Sequence, residues 1–114
     1  MAGISTHVLD TATGLPAAGV AVRLEELVDD GSVITLHEES TDEDGRVSEL
    51  LPGGRSLDAA IYRITFDTGA YFAARGIDAF YPYAAVVFRV SDPDRHHHVP
   101  LLLSPFGYST YRGS

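Results

Sequence analysis

A two-residue hydrophobic period, repeated along most of the chain, limits the fold more than any other feature. Val20, Val22 and Leu24 alternate with Ala21, Arg23 and Glu25. Ala60, Tyr62, Ile64 and Phe66 alternate with Ile61, Arg63, Thr65 and Asp67, and Val86, Phe88 and Val90 with Val87, Arg89 and Ser91. Side chains on a strand point to opposite faces in turn, so this spacing marks strands buried on one face and wetted on the other. Shorter stretches at 4–9, 33–38, 46–50, 96–103 and 108–112 read the same way. Turn-forming residues separate them: Thr13-Gly14-Leu15-Pro16, Asp30-Gly31, Asp44-Gly45, Pro52-Gly53-Gly54, Asp92-Pro93-Asp94 and Ser104-Pro105-Phe106-Gly107. Only 69–76 breaks the rhythm, with helix formers between two glycines, and predicts one short helix whose Tyr71 and Phe72 cover an end of the core. The expected fold is all-β: a two-sheet antiparallel sandwich of about eight strands with one short helix. Pro100 has no N–H for a ladder, so it belongs at an edge, a bulge or a gap in pairing.

Composition narrows the function. The 114 residues suit one domain spanning 1–114, and a hydrophobic share of 45% is enough for a packed core. No apolar run approaches the ~20 residues needed to span a bilayer, and the N-terminus lacks the features of a signal peptide. The expectation is a cytoplasmic protein. The chain has no cysteine, which removes disulfides, thiolate metal sites and cysteine nucleophiles. It has no lysine either, so all 8 basic residues are arginines and Schiff-base chemistry is excluded. A formal net charge of −8 with no basic stretch argues against nucleic acid and anionic membranes as partners.

Several residues stand out as chemical candidates. In a strand, His96 and His98 share a face, while His97 turns away with Val99 and Leu101. The pair has three open readings: two zinc ligands, a base with its neighbour, or a solvated run beside the 92–95 turn. His7 falls with Ser5 and Leu9 on the face opposite Ile4, Thr6 and Val8. It is either a polar-face histidine or an acid–base group titrating near pH ~6.5 on a rigid strand. Arg46 follows the Asp44-Gly45 turn, where it is either solvated or placed to hold a planar anion through paired hydrogen bonds. The Tyr108–Ser114 segment, with Tyr111 and Ser114, reads as an edge strand with a short tail. Alternatively, it is an ordered terminus whose carboxylate has a fixed place.

Three blocks together resemble the 5-hydroxyisourate hydrolase family, also called transthyretin-related proteins. They are Thr6-His7-Val8-Leu9-Asp10 with Gly14-Leu15-Pro16-Ala17; Thr41-Asp42-Glu43-Asp44-Gly45-Arg46; and the run from His96 through Val99-Pro100-Leu101 to the terminal Tyr111-Arg112-Gly113-Ser114. The resemblance covers nearly the whole chain. It implies a sandwich of eight strands with one helix, a homotetramer with active sites where subunits meet, and no metal or organic cofactor. It also implies the reaction, in which water opens the six-membered ring of 5-hydroxyisourate to give 2-oxo-4-hydroxy-4-carboxy-5-ureidoimidazoline in urate breakdown. By motif, the catalytic group is His7, Arg46, His98 and Ser114, and His7, Arg46 and Tyr111 bind substrate. One departure is His97, where the family usually has tyrosine between the two histidines. Because position 97 faces away from His98, little effect on the chemistry is expected. The main rival is hormone carriage, as in transthyretin, which has lysine in place of His7 and an acid in place of Arg46.

Overall fold

The alternating segments form strands close to where the pattern puts them. The computed structural model describes residues 2–53 and 55–114; Met1, and Gly54 of the Pro52-Gly53-Gly54 turn, lie outside the described residues. Among the described residues, nine strands and one helix follow in the order β1 (Ile4–Asp10), β2 (Leu15–Pro16), β3 (Ala21–Leu27), β4 (Val33–Ser40), β5 (Arg46–Val47), β6 (Ala60–Phe66), α1 (Thr68–Ala73), β7 (Ala84–Val90), β8 (His97–Ser104) and β9 (Gly107–Thr110). One sheet runs β2-β1-β8-β9, with β5 also pairing β1, and the other runs β4-β3-β6-β7. Two expectations are corrected at this level. The 46–50 segment pairs only at Arg46 and Val47, and the 13–16 turn contributes a two-residue strand of its own. Among the described residues, no helix is long and apolar enough to cross a membrane.

The sheets pack through the faces that the alternation marked as apolar. Ile4, Val8, Val99, Leu101 and Leu103 from one sheet meet Val22, Leu24, Tyr62, Ile64, Phe66 and Val86 from the other. Each such side chain contributes about 1.5–3 kcal/mol by leaving water. Two polar side chains on the inner face of β1 find partners locally. Thr6 donates its hydroxyl to the Val99 carbonyl at 2.6 Å, and the buried Asp10 carboxylate accepts from the Tyr71 hydroxyl at 2.9 Å. That second bond ties the helix to β1, and Tyr71 and Phe72 close one end of the core as expected. Glu25 faces outward with Arg23, yet it is buried, because the Arg63 Nε–H donates to it at 2.9 Å and covers it.

One ladder is not antiparallel. β1 and β8 run parallel in unbroken register from Ile4↔His97 through Ser5↔His98 and His7↔Pro100 to Asp10↔Leu103. Parallel neighbours need a long crossover, and here the crossover includes the whole second sheet. Pro100 resolves as a gap. β9 pairs β8 only from Leu101↔Thr110 onward, the Thr110 hydroxyl donates to the Pro100 carbonyl at 2.7 Å, and the chain peels away as far as Gly113. The strand expected over 108–112 therefore ends at Thr110.

The Asp44-Gly45 turn fixes β5 against β1. The Asp42 carboxylate accepts from the backbone N–H groups of Asp44 and Arg46, each at 2.9 Å. Gly45 has φ +73°, and its carbonyl accepts from the Val8 N–H at 2.7 Å. A Cβ there would run into the Val8 carbonyl oxygen. Gly45→Ala is expected to cost at least about 2 kcal/mol in urea unfolding, through both left-handed backbone strain and this collision. An unchanged urea midpoint would contradict the assigned packing.

Candidate active site

The outer face of the β1–β8 ladder gathers the polar residues that the inner face excludes. Ser5 and His98 are register partners, as are His7 and Arg46 across the β1–β5 ladder, so all four project from one side of the sheet. Beside them lies a cleft of about 320 Å³, lined by Ser5, Thr6, Arg46, Ser48, His96, His98 and Ser114. No Asp or Glu side chain among the described residues lines it, although the chain carries 16 acidic residues against 8 basic ones.

Hydrogen bonds and contacts fix the cleft side chains. The Ser5 Oγ lies 2.8 Å from both His98 Nδ1 and His96 Nε2 and is hydrogen-bonded to each. The Gly113 N–H donates to the His98 carbonyl at 2.8 Å. A Cβ on Gly113 would stand 2.5 Å from His98 Cδ2, so glycine lets the returning tail lie flat against the imidazole. Burial, followed by the positive charge of Arg46, pushes the half-buried His98 below the ordinary histidine range; His7 and His96 add to the effect. At neutral pH, His98 is thus held in its neutral, proton-accepting form.

The predicted residues do not all meet in this cleft. Arg46, His98 and Ser114 do. His7 stands at the cleft's border, two positions along β1 from Ser5 and opposite Arg46, and its charge is felt by His98. Tyr111 is elsewhere. It lines a more apolar groove of about 190 Å³ with Val86, Phe88, His97, Val99 and Arg112, where the end of β9 leaves the two sheets open. His97 turns inward as expected and is buried, and among the described residues its Nδ1 has no hydrogen-bond partner. Burial accordingly lowers its basicity. Among the described residues, no three His, Cys, Asp or Glu side chains converge in a way that could hold a metal ion. Sequence reasoning missed Ser5 and Ser48. The signal for Ser5 was its shared face with His7, but its register with His98 had no local signature.

Known proteins resemble this chain in sequence and in fold. The model of the HIUase/Transthyretin family matches residues 4–113. The chain belongs to that family. A 5-hydroxyisourate hydrolase from Salmonella dublin is 47% identical over 111 residues, covering 97% of this chain and 80% of the relative. Among solved structures, the Klebsiella pneumoniae 5-hydroxyisourate hydrolase superposes with a TM-score of 0.87 at 38% identity, covering all of both chains. Sea bream transthyretin in complex with thyroxine gives 0.89 at 33% identity, over 96% of this chain and 93% of that one. Family membership agrees with the two sheets and single helix, and the similar structures include both a hydrolase and a transthyretin in complex with thyroxine.

Two consequences can be measured. His97 and His98 are both less basic in the fold than in the unfolded chain, so below pH ~6.5 the unfolded state binds more protons. Their contribution to stability is present above that pH and is lost as pH falls through the lower folded-state values. Urea midpoints taken from about pH 7.5 down to about pH 5 should decline, and less steeply in His97→Phe than in the parent; equal slopes would refute the assignment to His97. Gly113→Ala should shift the His98 ring proton resonances in NMR while leaving those of the distant His37 in place.

Proposed function

We propose that this chain hydrolyses 5-hydroxyisourate, opening its six-membered ring to 2-oxo-4-hydroxy-4-carboxy-5-ureidoimidazoline. One observation carries the reading: an otherwise acidic chain keeps a cleft free of acidic side chains, with Arg46 and a neutral His98 held side by side in it. Amide hydrolysis needs a base for water and a cation for the developing oxyanion. A depressed imidazole beside a guanidinium supplies both. His98 takes the proton from the attacking water, and Arg46 holds the ring oxygens through its planar fork of donors. His7, opposite Arg46, binds substrate and orients the attacking water. Ser114 fixes the near wall against His98. The relatives named as hydrolases at 38–47% identity support the same substrate.

The cleft lies on an open sheet face, and Tyr111 lies in a separate groove. On this reading, a homotetramer closes that face, and Tyr111 completes a substrate site where subunits meet. The exposed Tyr83 and Val87 near the β7 edge and Tyr108 on β9 supply apolar surface for such contacts.

The experiment follows the ultraviolet absorbance of freshly generated 5-hydroxyisourate with and without the protein. Accelerated decay that survives chelator is expected. His98→Asn and Arg46→Glu should each lower kcat/KM by about 100-fold or more with circular dichroism unchanged, and the acid limb of kcat/KM should lie below pH ~6.5. Near-parental rates in both variants would sink the site. Tight thyroxine binding without hydrolysis would instead favour the carrier reading.

A further inference from the structure

We infer that Ser5 and His96 form a proton relay behind His98, so that a single imidazole serves as both acceptor and donor within one turnover. The inference rests on the cleft being the hydrolase site and deepens it. Ser5 is nearly buried, and among the described residues its hydroxyl has two partners, His98 Nδ1 and His96 Nε2, both at 2.8 Å. A buried O–H must find an acceptor. A serine hydroxyl has one proton to give and lone pairs to receive with. Giving that proton to one ring leaves the other to donate its N–H to Oγ. The two rings are then held in opposite states: when His98 carries hydrogen on Nδ1, His96 Nε2 is bare, and the reverse.

This coupling matters because of where positive charge is tolerated. His98 is half-buried beside Arg46, so an imidazolium there meets a neighbouring group of like sign. His96 is exposed to water at the cleft mouth. The relay moves the charge outward. As water attacks, its O–H breaks and His98 Nε2–H forms. His98 Nδ1–H breaks as a new O–H forms on Ser5, and the original Ser5 O–H breaks as His96 Nε2–H forms. His98 ends neutral with a proton on Nε2, and His96 is the cation. When the ring C–N bond breaks, His98 Nε2–H passes to the leaving nitrogen and the chain of transfers runs back, which restores the starting state. Protons balance with water as the only co-reactant. Ser5 is a positioning and relay residue, since it touches His98 and not the substrate.

Two measurements test the relay together. Nitrogen-15 NMR of the histidine rings at about pH 8, where free imidazoles are neutral, should show one Ser5-facing nitrogen protonated and the other bare. In Ser5→Ala the two tautomers should become independent. In the absorbance assay, Ser5→Ala and His96→Gln should each lower kcat by about 100-fold with KM within about twofold. The double variant should lose no more than the worse single one, because both break one chain. Both rings donating N–H to Ser5, a parental kcat in either single variant, or losses that multiply would each overturn the relay. His98→Asn separates the two levels. An active His98→Asn protein defeats the hydrolase-site reading itself, whereas an inactive one beside an undiminished Ser5→Ala protein defeats the relay alone.

Discussion

The parallel ladder between β1 and β8 is the interaction on which everything at the cleft depends. Its register places Ser5 against His98, two residues 93 positions apart in the chain, and holds that match over seven consecutive pairs. Inner-face burial enforces it. A one-residue slip of β1 along β8 would turn Ile4 and Val8 to water and bring His7 into the core. The same hydrophobic packing that stabilises the sandwich therefore sets the distances among the polar groups outside it. Side chains on a ladder of this kind have little freedom to drift, which suits chemistry that fails when groups are misplaced by an ångström.

Much of this was legible in the sequence because face assignment is local. Alternation correctly put His7 with Ser5, His98 with His96, and His97 on the inner side, and the missing N–H of Pro100 announced a break in pairing. Pairing is not local. Nothing in residues 4–10 or 97–104 states that they run side by side in the same direction, so Ser5 remained an ordinary polar-face serine until the ladder placed it between two imidazoles. The tail shows the same limit. Its alternation suggested a continuous strand to 112, but the proline gap lets it leave at Thr110. This separates Tyr111 from the cleft and brings Gly113 back onto His98. The motif resemblance supplied residue names, whereas the geometry divided them between two grooves.

Charge is distributed as unevenly as polarity. The chain carries a net charge of −8, yet Arg46 meets no acidic side chain in the cleft, while Arg63 and Arg23 on the other sheet are taken up by Glu25. An arginine neutralised by a neighbouring carboxylate cannot offer its fork to a ligand. The Asp42 carboxylate is close in sequence, but it is occupied by the backbone N–H groups of the turn rather than by the Arg46 guanidinium. The turn thus presents Arg46 while keeping the Asp42 carboxylate engaged elsewhere.

The parallel ladder also bears on how the molecule is made. β1 is synthesised long before β8, and the whole second sheet comes between them. During synthesis, β1 must therefore wait with one edge open. An open apolar edge is a template for pairing with other chains, and long-range closure is slow. The short β2 and β5 segments, which pair the opposite edge of β1 and are both synthesised before β8, leave only one side of it exposed in that interval. The cleft is thus among the last features to form on a growing chain, and the two short flanking strands act as an early guard on the strand that carries His7.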